Sequence, residues 1–160
     1  MIQKRPVSEA DRPFLLALYA TTRADELSIV PWTDDQKGAF VAMQFEAQSR
    51  WFRQVYADAE ALLVLRDGEP IGRLIIRRTA SELAVVDIAL MPDHRGQGVG
   101  TRLLNDVLEA ADRVGLPVAL HVEPSNPARR LYERLGFEPR GRDATHERMV
   151  RPARQLNTAS

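Results

Sequence analysis

The sequence predicts an α/β (α+β) fold, a mixed central sheet flanked by helices on both faces. Three observations predict it. Apolar residues recur at helical spacing in the first third of the chain and again after residue 98. Between them, short apolar runs separated by turn residues read as an antiparallel meander. A strand–helix–strand order over residues 83–122 then calls for a right-handed crossover between parallel strands.

The elements follow in order. Ser8-Glu9-Ala10-Asp11 has the form of a capping box, with Ser8 as cap and Asp11 reaching back. The helix it opens buries Phe14, Leu15, Leu18 and Tyr19, and residues 22–33 read as a loop. Thr33 or Asp34 caps a second helix that runs to about Tyr56, with an apolar stripe of Phe40, Met43, Ala47, Trp51 and Val55. Trp51 and Phe52 read as core. Ala61–Leu65 is a strand, Asp67-Gly68 a tight turn, and 71–78 and 83–90 two further strands. Val99, Leu103, Leu104, Val107, Leu108, Ala111 and Val114 mark the clearest helix, with Gly115 as its cap and Pro117 beyond. Val118–Val122 is the next strand. Asn126-Pro127 opens a short helix that stops at Gly136. Phe137–Arg140 and His146–Val150 form a closing hairpin. Residues 1–154 read as one domain and 155–160 as a frayed tail.

Composition narrows the classes. The 160 residues carry 22 basic and 22 acidic side chains, so no global field recruits nucleic acid or an anionic membrane. No apolar run approaches the roughly 20 residues of a membrane span. There is no cysteine, which excludes disulfides, a thiol nucleophile and cysteine-ligated zinc. No metal is expected, and a cytoplasmic location is the default.

The stretch Arg95-Gly96-Gln97-Gly98-Val99-Gly100-Thr101 carries the chemistry. Glycines at alternating positions, where a strand hands over to a helix, leave backbone amides free to receive phosphate. The spacing does not match the dinucleotide fingerprint, and no Lys-Ser/Thr follows as a Walker loop requires. A purely structural glycine turn is the alternative. Arg95 either adds charge to an anion site or pairs with Asp93 on the surface.

Arg95-x-x-Gly98-x-Gly100, behind a strand and Pro92 and before an amphipathic helix, resembles motif A of the GNAT acyltransferases. Asn126-Pro-Ala-Arg-Arg-Leu131-Tyr132-Glu-Arg-Leu135-Gly136-Phe137 resembles their motif B. The resemblance is strong over about residues 60–140. It implies a mostly antiparallel sheet of about six or seven strands, split between strands 83–91 and 118–122. It implies that acetyl-CoA is the co-substrate, its pyrophosphate held by the amides of Arg95, Gly96, Gln97, Gly98, Val99 and Gly100 and by Thr101. Ala89, Leu90 and Met91 match the positions whose backbone bonds the pantetheine arm, and Asn126 another. A backbone N–H near Ile88 or Ala89 matches an oxyanion-hole position. Tyr132 matches the general acid; its other reading is a half-buried core tyrosine.

The base stays open. Asp87 is the only carboxylate within 83–90. By alternation it shares a face with Val85, Ala89 and Met91. It is either the base or the partner of Arg73 or Arg77. His121 is the second candidate, Glu123 a weaker one, and His94 reads as solvated surface. Without cysteine, a route through an acetyl-cysteine is closed, so direct attack in a ternary complex is expected. The acceptor is a primary amine, on a small molecule or a peptide. Trp32, Trp51, Phe52 and Tyr56 match the acceptor side, and Arg140, Arg142, Arg148, Arg151 and Arg154 form a basic C-terminal stretch. A homodimer, often through the C-terminal strands in this family, is a further expectation. The alternative function is a non-catalytic acyl-CoA sensor on the same fold.

Overall fold

The structure, a computed structural model, describes residues 1–155. Of the expected tail, residues 156–160 lie outside the described residues. Seven strands form one sheet in the order β1-β2-β3-β4-β5-β7-β6. They are β1 (Ile2–Pro6), β2 (Glu60–Arg66), β3 (Glu69–Arg78), β4 (Leu83–Leu90), β5 (Val118–Val122), β6 (Glu138–Arg142) and β7 (Glu147–Arg151). The helices are α1 (Arg12–Ser28), α2 (Asp34–Val55), α3 (Val99–Arg113) and α4 (Arg129–Arg134). The chain divides into two compact units, residues 1–74 with 88–95, and 75–87 with the residues from 96 onward. β3 and β4 each run from one unit into the other.

In the first unit, β1 pairs antiparallel with β2, Ile2 opposite Arg66 and Pro6 opposite Leu62. The sequence reading omits β1, because four of its five residues are exposed and it shows no apolar alternation. The Asp67-Gly68 turn is as expected, with positive φ at both residues, 51° and 85°. Asp11 does reach back to the Ser8 N–H at 2.8 Å. It also accepts two 2.8 Å bonds from the guanidinium of Arg5. Those bonds, and then the Ser8 N–H, hold the Asp11 carboxyl far below the usual carboxylate range.

A carboxylate depressed in this way contributes stability above its unfolded pKa of about 3.9 and loses it as pH falls towards its folded value. Asp11→Asn is expected to cost about 1–2 kcal/mol at pH 7, modest because Arg5 faces solvent. It is also expected to flatten the loss of stability below pH ~4. Chemical denaturation across that range checks both.

α1 is longer than expected. Residues 22–28 continue the helix and only 29–33 connect to α2. Thr21 and Thr22 turn their hydroxyls onto the carbonyls of Leu18 and Tyr19, at 2.7 and 2.6 Å. Arg23 binds both the Tyr19 hydroxyl and Glu26. These local bonds and the buried Leu27 carry a polar stretch through about two further turns. Thr33 caps α2, its hydroxyl accepting from the Gln36 N–H at 3.1 Å. α1 and α2 pack through Tyr19, Leu27, Val41 and Phe45. The stripe assigned to the buried side of α2 is therefore corrected: Met43 and Trp51 are exposed, at 61% and 49%, and so is Val55. Trp51 is not core; it meets Phe52 and Tyr56 edge-on at the surface.

In the second unit, α3 buries Val99, Leu103, Leu104, Val107, Leu108 and Ala111 and packs against β5. Val114 lies past the helix end and is exposed. Gly115, at φ 71°, closes the helix, and the Leu116 N–H returns to the Ala111 carbonyl. β4 and β5 pair in parallel over only three residues, Leu83–Val85 against Val118–Leu120. β5 then pairs antiparallel with β7, and β7 with β6. Of the arginines read as a basic C-terminal face, Arg140 pairs with Glu138 and Arg148 with Glu82. Arg151 is buried on Asp112. No described helix is long and apolar enough to cross a membrane.

Candidate functional site

The glycine loop takes the backbone form that its sequence demands. A 3₁₀ turn at Pro92–His94 leads into an extended Arg95. Gly96 and Gly98 follow at φ 72° and 81°, where a side chain is strained. Gly98 is the N-cap of α3, and its carbonyl takes the Arg102 N–H at 3.0 Å. The first N–H groups of α3, on Val99, Gly100 and Thr101, point out of the helix end without helical acceptors. Gly100 lies within the helix, its φ is not positive, and a Cβ there meets no atom within 4 Å. Neither backbone conformation nor crowding by the chain requires glycine at that position.

In the second unit, Asn126 lies about one turn ahead of the observed helix start and is not its immediate cap. Its Oδ1 accepts the Ala128 N–H at 2.9 Å and its carbonyl the Arg129 N–H at 3.0 Å, so α4 begins at Arg129. α4 carries Tyr132, which is 8% exposed and packs edge-on against Phe137 with centroids 5.9 Å apart. Burial is the first cause that pushes the Tyr132 phenol above its ordinary pKa; the nearby Asp87 carboxylate is the second. The fold thus brings together the two residues named from the sequence as acid and base. His121 is exposed on β5, opposite Arg148 of β7. Among the described residues no group of three or more His, Cys, Asp or Glu side chains is placed to hold a metal ion.

In the first unit, the Arg95 Nε donates to the Leu90 carbonyl at 2.9 Å, and its Nη2 lies 3.5 Å from the Thr21 hydroxyl. The Met91 N–H donates to the Ile71 carbonyl of β3 at 2.8 Å. His94 is not simply solvated, since its Nδ1 lies 3.4 Å from Arg66.

The two ends of β4 are out of phase. The Leu83 N–H points to the β5 side, at 2.9 Å from the Pro117 carbonyl, whereas Met91 points to β3. Residues eight apart on an unbroken strand share an edge. The alternation therefore slips between them, as at a β-bulge. Burial alternates along β4 only as far as Val85, where its pairing with β5 also ends, and is intermediate from Val86 to Leu90. One face cannot be assigned from Val85 through Met91, as unbroken alternation would have it.

Gly72 is a residue that sequence reasoning missed. A Cβ on it would stand 2.3 Å from the Ala89 carbonyl and 2.7 Å from a Leu90 methyl. Its only signal is a glycine inside a strand, which often marks close backbone approach. Gly72→Ala is expected to destabilise by about 1–3 kcal/mol, because the atom displaced is backbone. It should also weaken acetyl-CoA binding if Ala89 and Leu90 hold the pantetheine arm as the resemblance implies, because it moves both. Thermal unfolding and calorimetry read the two effects; unchanged values in both would show that this segment yields freely.

A cavity of about 500 Å³ opens on the α1–α2 pair, lined among others by Leu16, Ala20, Leu27, Lys37 and Val41. None of the catalytic or coenzyme-binding residues named from the sequence lines it.

Comparison with known proteins gives the following. The family model described as Acetyltransferase (GNAT) family matches residues 19–137. A mycothiol acetyltransferase of Brachybacterium faecium is 33% identical, over 87% of this chain and 46% of that protein. A ribosomal protein bS18 alanine N-acetyltransferase of Haemophilus influenzae is 32% identical, over 48% of this chain and 53% of that protein. The chain spans about half the length of these curated relatives. Among solved structures, the PaiA N-acetyltransferase of Thermoplasma acidophilum in complex with coenzyme A has the same fold. Its TM-score is 0.71 at 16% identity, covering 95% of this chain and 99% of that one. The ribosomal-protein-S18-alanine N-acetyltransferase of Escherichia coli gives 0.59 at 21% identity, covering 100% and 99%.

Proposed function

The chain belongs to the GNAT family of acetyltransferases, and from that premise we propose that it transfers the acetyl group of acetyl-CoA to a primary amine. Transfer is by direct attack within a ternary complex. The observation that carries this reading is Gly100. Glycine inside a helix costs about 0.5–1 kcal/mol relative to alanine. A Cβ at this position would meet open space within the chain. A glycine kept at that cost, beside unpaired helix-terminal amides, fits a bound group pressed close against the backbone.

The residues fit the co-substrate in this way. The amides from Arg95 to Gly100, with the Thr101 hydroxyl, are proposed to hold the pyrophosphate at the positive end of α3. Backbone groups of Ala89, Leu90 and Met91 are proposed to hold the pantetheine arm. The bond from Arg95 to the Leu90 carbonyl orients that segment. Asn126 is proposed to bond the arm through its amide nitrogen, since its Oδ1 is engaged with the Ala128 N–H. The thioester supplies an activated acetyl group. An N–H at Ile88 or Ala89 is proposed to face the charge that develops on its carbonyl oxygen.

Tyr132 gives its proton to the departing sulfur. Asp87, directly or through water, takes one proton from the acceptor ammonium, at pH 7 only about one part in a thousand neutral, so that the free amine attacks; the nitrogen's second proton, lost as the intermediate collapses, replaces the one Tyr132 gave. The relatives' names include mycothiol and an alanine of ribosomal protein bS18. The acceptor class proposed here is accordingly an amine on a small molecule or a peptide N-terminus.

Two measurements on the full chain test the proposal. Calorimetry with acetyl-CoA should show saturable binding, and a panel of small amines and alanine-terminated peptides should release free thiol. Absence of binding overturns the coenzyme assignment. Binding without turnover across the panel favours a sensor.

A further inference from the structure

The five apolar residues Ala39, Met43, Ala47, Trp51 and Val55 recur every four residues along α2, and all are exposed. They form one i±4 ridge, the kind of row that packs into the groove of a facing helix. The opposite side of α2, through Val41 and Phe45, already packs on α1. α2 is therefore apolar on two sides, and among the described residues one of them has no cover. Contiguous exposed apolar surface of this kind marks interaction sites.

The row has a pattern that names its partner. Small and large residues alternate: Ala39, Met43, Ala47, Trp51. Set against a second α2 running the opposite way, with facing residue numbers summing to 90, Ala39 meets Trp51 of the other copy and Met43 meets Ala47. Met43 and Trp51 then each face an alanine, Val55 falls at the helix end opposite Asp35, and by symmetry each contact occurs twice.

The charges follow the same register. Asp34 and Asp35 stand at the start of α2, Arg50 and Arg53 near its end. Among the described residues none of the four has an ion-pair partner. In the antiparallel arrangement the acidic end of one helix faces the basic end of the other. Arg53 then lies about 3 Å along the axis from the level of Asp35, two residues at the helical rise. A parallel arrangement would bring like charges together. We propose that the exposed ridge of α2 is the interface of a homodimer, docked antiparallel on the same ridge of a second copy of this chain. This differs from the expectation of dimerisation through the C-terminal strands, and it does not depend on the acetyltransfer reading.

Sedimentation equilibrium of the full chain over a wide concentration range tests it. The expected mass is twice 18.0 kDa. Ala47→Glu places a charge opposite Met43 of the partner and should raise the dimer dissociation constant at least about 30-fold, as loss of a central contact does. Met43→Glu is a second variant at an exposed position, and circular dichroism confirms that either folds. Asp35→Arg or Arg53→Asp alone should weaken the dimer about 3- to 10-fold, and the two combined in one chain should restore it. A wild-type chain that stays monomeric overturns the proposal. So does an Ala47→Glu chain that remains fully dimeric, which would place the interface elsewhere. Failure of the double charge reversal to restore association would overturn the antiparallel register.

Discussion

Tyr132→Phe is expected to lower turnover by about 10²- to 10⁴-fold, the range a positioned general acid supplies. Coenzyme binding should stay within about twofold, since the ring and its burial are kept. In the proposed role the proton of the phenol reaches a thiolate whose conjugate acid has a pKa of about 8.5. A phenol near its ordinary value of about 10 donates to it at small cost. In this fold the phenol is pushed above that value, first by burial and then by the Asp87 carboxylate. The acid is thus fully protonated across the physiological range, and activity limited by its loss should fall only on the alkaline side.

Asp87→Asn removes the second cause. It should move the alkaline limb of the kcat profile to lower pH, in addition to any loss from removing the base. That shift separates a carboxylate acting on Tyr132 from one acting only on the acceptor. A Tyr132→Phe enzyme with unchanged kcat removes Tyr132 from the acid role, and the ring is then a core residue beside Phe137.

How much of this was readable before folding depends on where each signal lives. α3 was legible because six of its apolar residues share one face and all six are buried. The glycine loop was legible because its backbone needs positive φ at Gly96 and Gly98, which few other residues supply. Asp87 and Tyr132 were nominated separately, and their proximity is a property of the fold alone.

Other features left little trace. β1 is an edge strand of exposed residues held by pairing with β2, so it has no apolar pattern to read. The last turns of α1 rest on threonine hydroxyls, which elsewhere compete with helix, and on an arginine–glutamate pair whose partner choice only the helix fixes. The slip in β4 is a backbone event with no residue code, and unbroken alternation along that strand was therefore the wrong template. α2 is the most instructive case. Its apolar periodicity was real, but periodicity says which residues share a face, not which partner covers it.

Asp112→Ala is expected to destabilise the chain by about 3–5 kcal/mol, the cost of leaving a buried charge without its partner. Arg151 is 3% exposed at the end of β7 and makes a two-pronged pair with Asp112 of α3, at 2.6 and 3.0 Å. The same carboxylate accepts the Arg154 N–H at 2.9 Å, and Arg151 also binds the Pro152 carbonyl. The Arg151 Nε is buried with no partner. The guanidinium therefore already lacks one bond and depends on Asp112 for the compensation of its charge.

The bonds from Arg151 depress the Asp112 pKa, as does the Arg154 N–H. A depressed carboxylate stabilises above its unfolded pKa of about 3.9, and that contribution is lost as pH falls through its folded value. The wild type should therefore lose stability on acidification in a way that Asp112→Ala does not. Adding Arg151→Met to Asp112→Ala should recover most of the loss, because a flexible apolar side chain fills the site without a charge to desolvate. A double variant no more stable than Asp112→Ala alone would mean that the cost lies in the Asp112 bonds to the Arg154 backbone. In that case the pair holds the chain after β7 against α3 by geometry, and its charge contributes little.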